Sequence, residues 1–536
     1  MRTLPLCALV ALWAAFVALL LSPVLGDAGG DSAQYLALGE ALARGDGYVD
    51  THLPQQPLHV HYPPGLPLLH AGLVFVFGPA PFVPAKIAVL LLGAFGLLCF
   101  GRLFARLASP QQALLALGLG AFSPYVVRFG ASLLTEIPAM AMIAATLLFL
   151  DTALREDDPR RAGRAATLAV LFAACACSLR VASVVVLPPL TIALFLRLRW
   201  AALPRVVLAA APLALFMAWG FGVGAGWFGE ARGGGTWSYS DEIAARIGGP
   251  MDIAVHALGG LPIFVRGIGA SIVDVPLVAR VDALGYVLAA PVLVGLLWAL
   301  FDRRRAPLAW TTLLAIAVAC AAPERTMRYL VPTAPCFAFF FVDGCALVFK
   351  ALTQKITASA PLRTVPRFGL AIGAVLAMLQ VPGLVHEVEA RHKGTVLDAP
   401  LALRDKVAPI EQGAWTELRV LPQGSEVAVR FASFFQLMEA ARQTTPVDAV
   451  LLSRKPRFVS YLTGRRCLRL PADLAPEVLA QRLEAMSFDV FVDDGLFADT
   501  MTARPIIEQG LGFREATVIR SARLLQRPSP AVRPGR

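Results

Sequence analysis

Residues 82–105 read FVPAKIAVLLLGAFGLLCFGRLFA, with Lys86 and Arg102 as the only charges. A helix rises about 1.5 Å per residue, so a run of this length can cross a hydrocarbon core of about 30 Å. Ten more blocks have the same character: 4–25, 110–127, 137–153, 165–179, 181–199, 203–221, 283–301, 307–321, 329–349 and 368–384. Of the 536 residues 57% are hydrophobic and 16% charged, whereas soluble domains carry about 25% charge. The sequence therefore predicts a polytopic α-helical membrane protein of about eleven transmembrane helices. After residue 385 no such block recurs, and the remainder reads as ordinary mixed sequence.

Charge orients the array. With the N-terminus inside, Arg2, Arg102/Arg106, Arg155–Arg164, Arg197/Arg199/Arg205, Arg303–Arg305 and Lys350–Arg367 all face the cytoplasm. They make up 17 of the 27 Lys and Arg residues before 385, which satisfies the positive-inside rule. The first outer loop, 26–64, holds one Arg and five acids. An odd number of spans then leaves the C-terminal part outside. The net charge of +11 is explained by this topology, so it is no footprint of nucleic-acid binding. Arg2 and the apolar run behind it have the start of a signal peptide, but no small-x-small site precedes Gly26, so an uncleaved anchor is expected. Seven of the eight cysteines lie in apolar blocks and only Cys467 in the tail; they read as small buried hydrophobes.

Three regions are expected outside the bilayer. In 26–81, Tyr35, Leu36, Leu38 and Leu42 recur at helical spacing through Ser32–Arg44 before Gly45-Asp46-Gly47. Residues 65–78 form an apolar stretch too short to span, and both segments are laid along the outer surface. Region 222–282, with Gly233-Gly234-Gly235, reads as a mobile lid or a plain connector. In the tail, Ser425–Phe431, Asp448–Ser453, Phe488–Val492 and Ala516–Leu525 read as strands. Phe434–Arg442, Lys455–Thr463 and Leu474–Met486 read as helices, so a small α/β domain is expected. The domain division is 1–384, transmembrane, and 385–536, outside. No internal repeat is evident, which weakens a transporter built from duplicated halves.

Few residues can carry chemistry. Asp31, in Gly29-Gly30-Asp31-Ser32-Ala33-Gln34-Tyr35, stands where the first span leaves the membrane, and partial desolvation there is expected to raise its basicity. Such an acid can take a proton from a hydroxyl nucleophile; the same position suits a helix N-cap. Asp27 is a less well-placed duplicate. Glu136 stands at the outer mouth of the fourth span, either as a functional ionisable group or as part of a cap with Thr135 and Pro138. Arg180, Arg325 and Arg328 gather on the same side, suited to phosphate oxygens or to snorkelling. His52, His59, His61 and His70 crowd the first loop and, with Asp31, Asp46 and Asp50, offer donors for a divalent metal, although no compact ligand spacing appears.

An acid just past the first span, a Tyr-Leu-x-Leu-x-x-x-Leu helix ending in Gly, and Tyr62-Pro63-Pro64-Gly65 together resemble the first outer loop of GT-C glycosyltransferases. The similar branch contains protein O-mannosyltransferases and bacterial aminoarabinose transferases. Arg328-Tyr329-Leu330-Val331-Pro332 with Pro335 resembles that branch's Arg-Tyr-Leu-x-Pro-x-x-Pro segment, and Ser453–Arg457 through Tyr461–Arg465 resembles bacterial members. The resemblance implies an inverting enzyme that moves a sugar from a polyprenyl-phosphate donor to a hydroxyl acceptor (lipid, polysaccharide or protein) on the outer face of the cytoplasmic membrane. It implies Asp31 as catalytic acid and Glu136 as a second acidic site. Arg180, Arg325, Arg328 and Tyr329, with Tyr62, fall where donor-phosphate contacts are expected, and His59 and His61 are the candidates for a metal. Two departures stand out. Some members carry Lys before the Pro-Pro pair, where this chain has Tyr62, and the mannosyltransferases' large luminal β-domain is absent. The alternative is a lipid or sugar transporter of the cell envelope, which would hold its ionisable residues near the bilayer midplane.

Overall fold

The computed structural model describes residues 3–21, 31–79, 81–225, 227, 249–273, 281–322, 325–356, 375–376, 378–381, 384–385, 426–471, 474–495 and 498–528. The first part is a helical bundle: α1 (Thr3–Leu19), α2 (Asp31–Arg44), α3 (Gly65–Phe77), α4 (Phe82–Leu107), α5 (Pro110–Ala121), α6 (Pro124–Gly130), α7 (Glu136–Arg155), α8 (Pro159–Leu179), α9 (Leu187–Leu198), α10 (Leu203–Gly224), α11 (Pro250–Ala270), α12 (Asp282–Leu300), α13 (Ala306–Ala321) and α14 (Ala334–Ile356). Short 3₁₀ turns, Val181–Val186 and Met327–Thr333, lead into α9 and α14. Among the described residues seven helical stretches are long and apolar enough to cross a membrane, one of them the 44-residue run Val181–Gly224 that carries both α9 and α10. The protein is an integral membrane protein of mostly helical fold.

Burial and small residues explain the packing. α7 is the central helix, buried along nearly all its length. α4 approaches it at Gly96, where an added Cβ would stand 2.6 Å from the Ala141 Cα. Close backbone approach at small residues is how helices associate without a water-driven hydrophobic force between them. The same device joins α12 and α14 at Gly295 and Gly344, each of which faces the other helix's backbone. The predicted span 110–127 is broken into α5 and α6, bent by 59°, where Ser123-Pro124 ends one helix and opens the next.

The two ends of the bundle differ in chemistry. At one, Arg106 and Arg155 meet Asp151 at 3.1 and 2.7 Å, and Arg305 meets Asp343 at 2.5 Å and the Leu107 carbonyl at 3.0 Å. These are the arginines expected to share one face. At the other end stand α2, α3 and the mouth of α7.

Helix α11 was not expected, because 222–282 reads as a mobile lid or a plain connector. Its glycines and Pro262 interrupt the apolar run, yet it is apolar enough over 20 residues to count as a span by composition. Its contacts place it otherwise. His256 Nε2 lies 2.9 Å from the Ala322 carbonyl, and Gly267 and Gly269 meet Met327 and Gly285. All of these are at the α7-mouth end, so α12 and α13 keep the sides that the charge pattern assigns them. Met251, Val255 and Leu258 are exposed along it, a face suited to lipid. The Gly-rich stretch 229–235 lies outside the described residues, as does most of 368–384.

The C-terminal part holds α15 (Glu426–Thr444), β1 (Val450–Ser453), α16 (Pro456–Thr463), β2 (Arg466–Arg469), α17 (Pro476–Glu484), β3 (Val490–Asp493), α18 (Ala498–Pro505), β4 (Arg514–Ile519) and β5 (Ala522–Gln526). The sheet order is β2-β1-β3-β5-β4, with β2, β1 and β3 parallel and β5 and β4 added antiparallel. The expected strand 425–431 is instead the start of α15. Its alternating apolar residues continue into Phe434, Leu437, Met438 and Ala441, which are buried at helical spacing. The expected strand 516–525 is a hairpin. This unit docks on the bundle: the Cys467 amide of β2 donates to the His52 carbonyl at 2.8 Å, which covers the sheet's open edge, and Tyr461 packs edge-on against Phe82 at 6.3 Å.

Candidate functional site

The helix mouths and the sheet unit converge on Asp31. It opens α2, but its side chain serves residues far away rather than its own helix amides. The Tyr62 hydroxyl donates to Oδ1 at 2.6 Å, and Arg328 Nη1 donates to Oδ2. Arg328 stands in the 3₁₀ turn before α14 and also donates through Nε to Glu136 Oε1. Glu136 is 0% exposed and accepts from Arg180 Nη1 at 2.7 Å as well. Arg180 further donates to Thr135 Oγ1 at 3.2 Å and lies over the Tyr329 ring at 5.3 Å. The result is a chain of alternating charge, Asp31–Arg328–Glu136–Arg180, with Tyr329 at its end. A narrow slot beside Arg180 and Tyr329 is lined by Ile143, Val185, Ala315 and Val318.

The basicity expected for Asp31 is reversed. Burial alone would raise its carboxyl, but Arg328, the Tyr62 hydroxyl and Arg457 outweigh that and hold it below its ordinary value. At the start of α7, Thr135 at the N-cap makes no side-chain capping bond, and Oε1 of Glu136 is taken by two arginines.

Tyr62 is fixed by the first loop. Its amide donates to His59 Nε2 at 2.8 Å, its carbonyl accepts from the Tyr48 hydroxyl at 2.7 Å, and its ring lies 4.8 Å from that of Tyr35. Because Nε2 of His59 accepts, Nδ1 carries the proton and donates to Asp50 at 2.7 Å. Asp50 also accepts from Gln34 Nε2 at 2.7 Å. Burial would raise the Asp50 carboxyl, and the hydrogen bond from His59 helps bring it down below the usual range.

These bonds bear on a metal. Both ring nitrogens of His59 are used, and His61 stacks edge-on to Tyr62 at 4.6 Å. No three His, Cys, Asp or Glu side chains converge among the described residues, and Asp31 and Glu136 already share a guanidinium. The described residues do not fit a divalent ion.

Of the residues singled out in the sequence, the fold brings Asp31, Glu136, Arg180, Arg328, Tyr329 and Tyr62 together. Arg325 is set apart, donating to the His256 carbonyl of α11 at 3.0 Å. Asp27 lies outside the described residues. One residue, quoted in the family-like stretch Ser453–Arg457 but given no role there, joins them: Arg457 of α16 donates to the Tyr62 hydroxyl at 2.8 Å and lies 5.2 Å over its ring.

No protein-family model matches the sequence, and no curated protein matches it. Solved structures do match. ArnT from Cupriavidus metallidurans bound to undecaprenyl phosphate is 13% identical, with 98% of each chain covered and a TM-score of 0.54. The apo state of that protein is 12% identical, with 97% of each chain covered and a TM-score of 0.56. The Archaeoglobus fulgidus oligosaccharyltransferase in its apo form is 12% identical over 92% of this chain and 70% of its own, with a TM-score of 0.54. At these identities the likeness is one of fold: this chain, a bundle of membrane helices with two helices in its first loop and a small sheet unit, shares the GT-C fold of these solved structures.

Proposed function

We propose that this protein is an inverting glycosyltransferase that moves a sugar from a polyprenyl-phosphate donor to a hydroxyl acceptor. The observation that carries this is one guanidinium, Arg328, shared by two acids at the mouth of a membrane bundle. The ArnT structure of the same fold holds undecaprenyl phosphate, which supports a prenyl-linked donor. The site lies at the end opposite the arginine-rich one, and the positive-inside rule supports our reading of it on the outer face of the cytoplasmic membrane. We read 1–384 as the catalytic domain and 385–536 as an outer domain that closes the site.

The chemistry follows from the residues. Asp31 removes the acceptor's hydroxyl proton while that oxygen attacks the anomeric carbon. The bond from that carbon to the phosphate oxygen breaks, and the prenyl phosphate leaves with the electron pair. Arg328 and Arg180 stabilise the charge that gathers on the phosphate, and the apolar slot beside Arg180 takes the first part of the lipid. Arg328 also explains the weak basicity of Asp31. An arriving phosphate competes for that guanidinium, so the acid becomes an effective base when the donor is in place.

Purified enzyme with radiolabelled polyprenyl-phosphate sugar and cell-envelope extract should transfer label. Asp31→Asn, still folded, should lose about 10²–10⁴-fold in rate. Full activity in that variant overturns the mechanism, and flux across sealed vesicles without covalent transfer marks a transporter instead.

A further inference from the structure

The site holds two carboxylates and three guanidinium groups. Arg328 is paired with Asp31 and Glu136, and Arg180 with Glu136. Arg457 differs, because among the described residues it makes no ion pair. Its Nη1 donates to a neutral phenol oxygen, and nothing described bonds its Nε or Nη2. It is half-buried, so those nitrogens keep access to open space. Burial works against its charge, yet the Tyr62 oxygen, Asp50 and Asp31 keep it firmly protonated.

Asp50 and Asp31 favour this charge, yet among the described residues neither carboxylate bonds the guanidinium directly. What keeps it from collapsing onto Asp31 is the Tyr62 hydroxyl, wedged between the two and fixed by Tyr35 and His59. The planar fork of Arg457 is therefore presented beside the acid with its other nitrogens unused, the geometry that receives two oxygens of a phosphate.

We propose that Arg457, supplied by the C-terminal sheet unit, binds a phosphate oxygen of the prenyl-linked donor beside Asp31. The site is then assembled from both parts of the chain, with this cation supplied by α16. This rests on the glycosyltransferase reading above.

The test uses full-length protein in nanodiscs, with undecaprenyl phosphate as probe and no sugar or acceptor present. Arg457→Gln should bind about tenfold to a hundredfold more weakly than wild type, with Arg457→Lys between them. Inorganic phosphate should compete at least tenfold less well in Arg457→Gln than in wild type, whereas a contact made only to an acceptor's phosphate would leave undecaprenyl phosphate binding unchanged. Equal binding by wild type and Arg457→Gln overturns the assignment and leaves the proposed activity standing. If Arg457→Gln fails to fold, Arg457→Lys carries the test, and wild-type affinity in it overturns the role of the fork. Wild type that binds no undecaprenyl phosphate overturns the activity itself.

Discussion

Asp31 and Glu136 are joined by a single guanidinium, that of Arg328, which donates Nη1 to one and Nε to the other. The acids sit on α2 and α7, so this one side chain ties the outer-loop helix to the central helix of the bundle. Replacing it with Ala leaves a fully buried carboxylate, Glu136, and a half-buried one, Asp31, short of their counter-charge. Such a loss costs about 3–5 kcal/mol. Arg328→Ala should melt well below wild type in detergent, and an unchanged melting temperature would contradict the pairing. Arg328→Lys keeps the charge but not the fork, and should recover only part of the loss.

Glu136→Gln tests the other partner. It keeps the shape and removes the charge shared by Arg180 and Arg328. Two guanidiniums then face each other across a neutral amide, and Asp31 draws Arg328 more firmly. Transfer should fall by at least tenfold, through kcat more than KM, as measured with a fixed acceptor and varied donor.

Acid should loosen the first loop. Burial, set against Asp50, pushes His52 down to about 4, and burial alone does the same to His70. Both fall below the ordinary value of about 6.5. Between those limits the unfolded chain takes protons that the folded one refuses, so stability is full above pH 6.5 and is lost as pH falls toward 4. The loss is up to roughly 3 kcal/mol for each histidine. His52→Gln with His70→Gln should flatten melting temperature against pH across this window, and an equally steep profile in the double variant would refute the account.

Gly96→Val probes the bundle. Its Cβ would meet Ala141 backbone at 2.6 Å, and backbone cannot rotate aside as a side chain does. Overpacking of this kind costs about 1–3 kcal/mol, visible as a lower melting temperature with the secondary structure retained. The same change at Gly163, where nothing stands within 4 Å, should be close to neutral.

Run length made most of the bundle legible, since a crossing helix must be long and apolar whatever it packs against. α11 escaped because Gly259, Gly260 and Pro262 break its run, and its position depends on contacts with Ala322 and Met327 that no local pattern encodes. The strand reading of 425–431 failed because alternation over a few residues also fits one face of a longer helix. At the site, Asp31 and Glu136 were visible as acids at helix mouths. The sign of Asp31's shift was not, because its counter-charge lies 297 positions away in Arg328. Arg325 and Arg328 look alike in sequence, and only the 3₁₀ turn that begins at Met327 separates them. Arg457, 395 positions from Tyr62, left no signal that spacing could catch.

The Tyr62 oxygen gives its hydrogen to Asp31 and takes one from Arg457, and this double duty constrains how the chain can evolve. A lysine at 62 would set an ammonium against the Arg457 guanidinium with no oxygen to separate them. Relatives that acquire a basic residue before the Pro-Pro pair should therefore lose the arginine on the α16 helix, and those that keep the arginine should keep a hydroxyl. Two positions in distant parts of the gene are bound to drift as one.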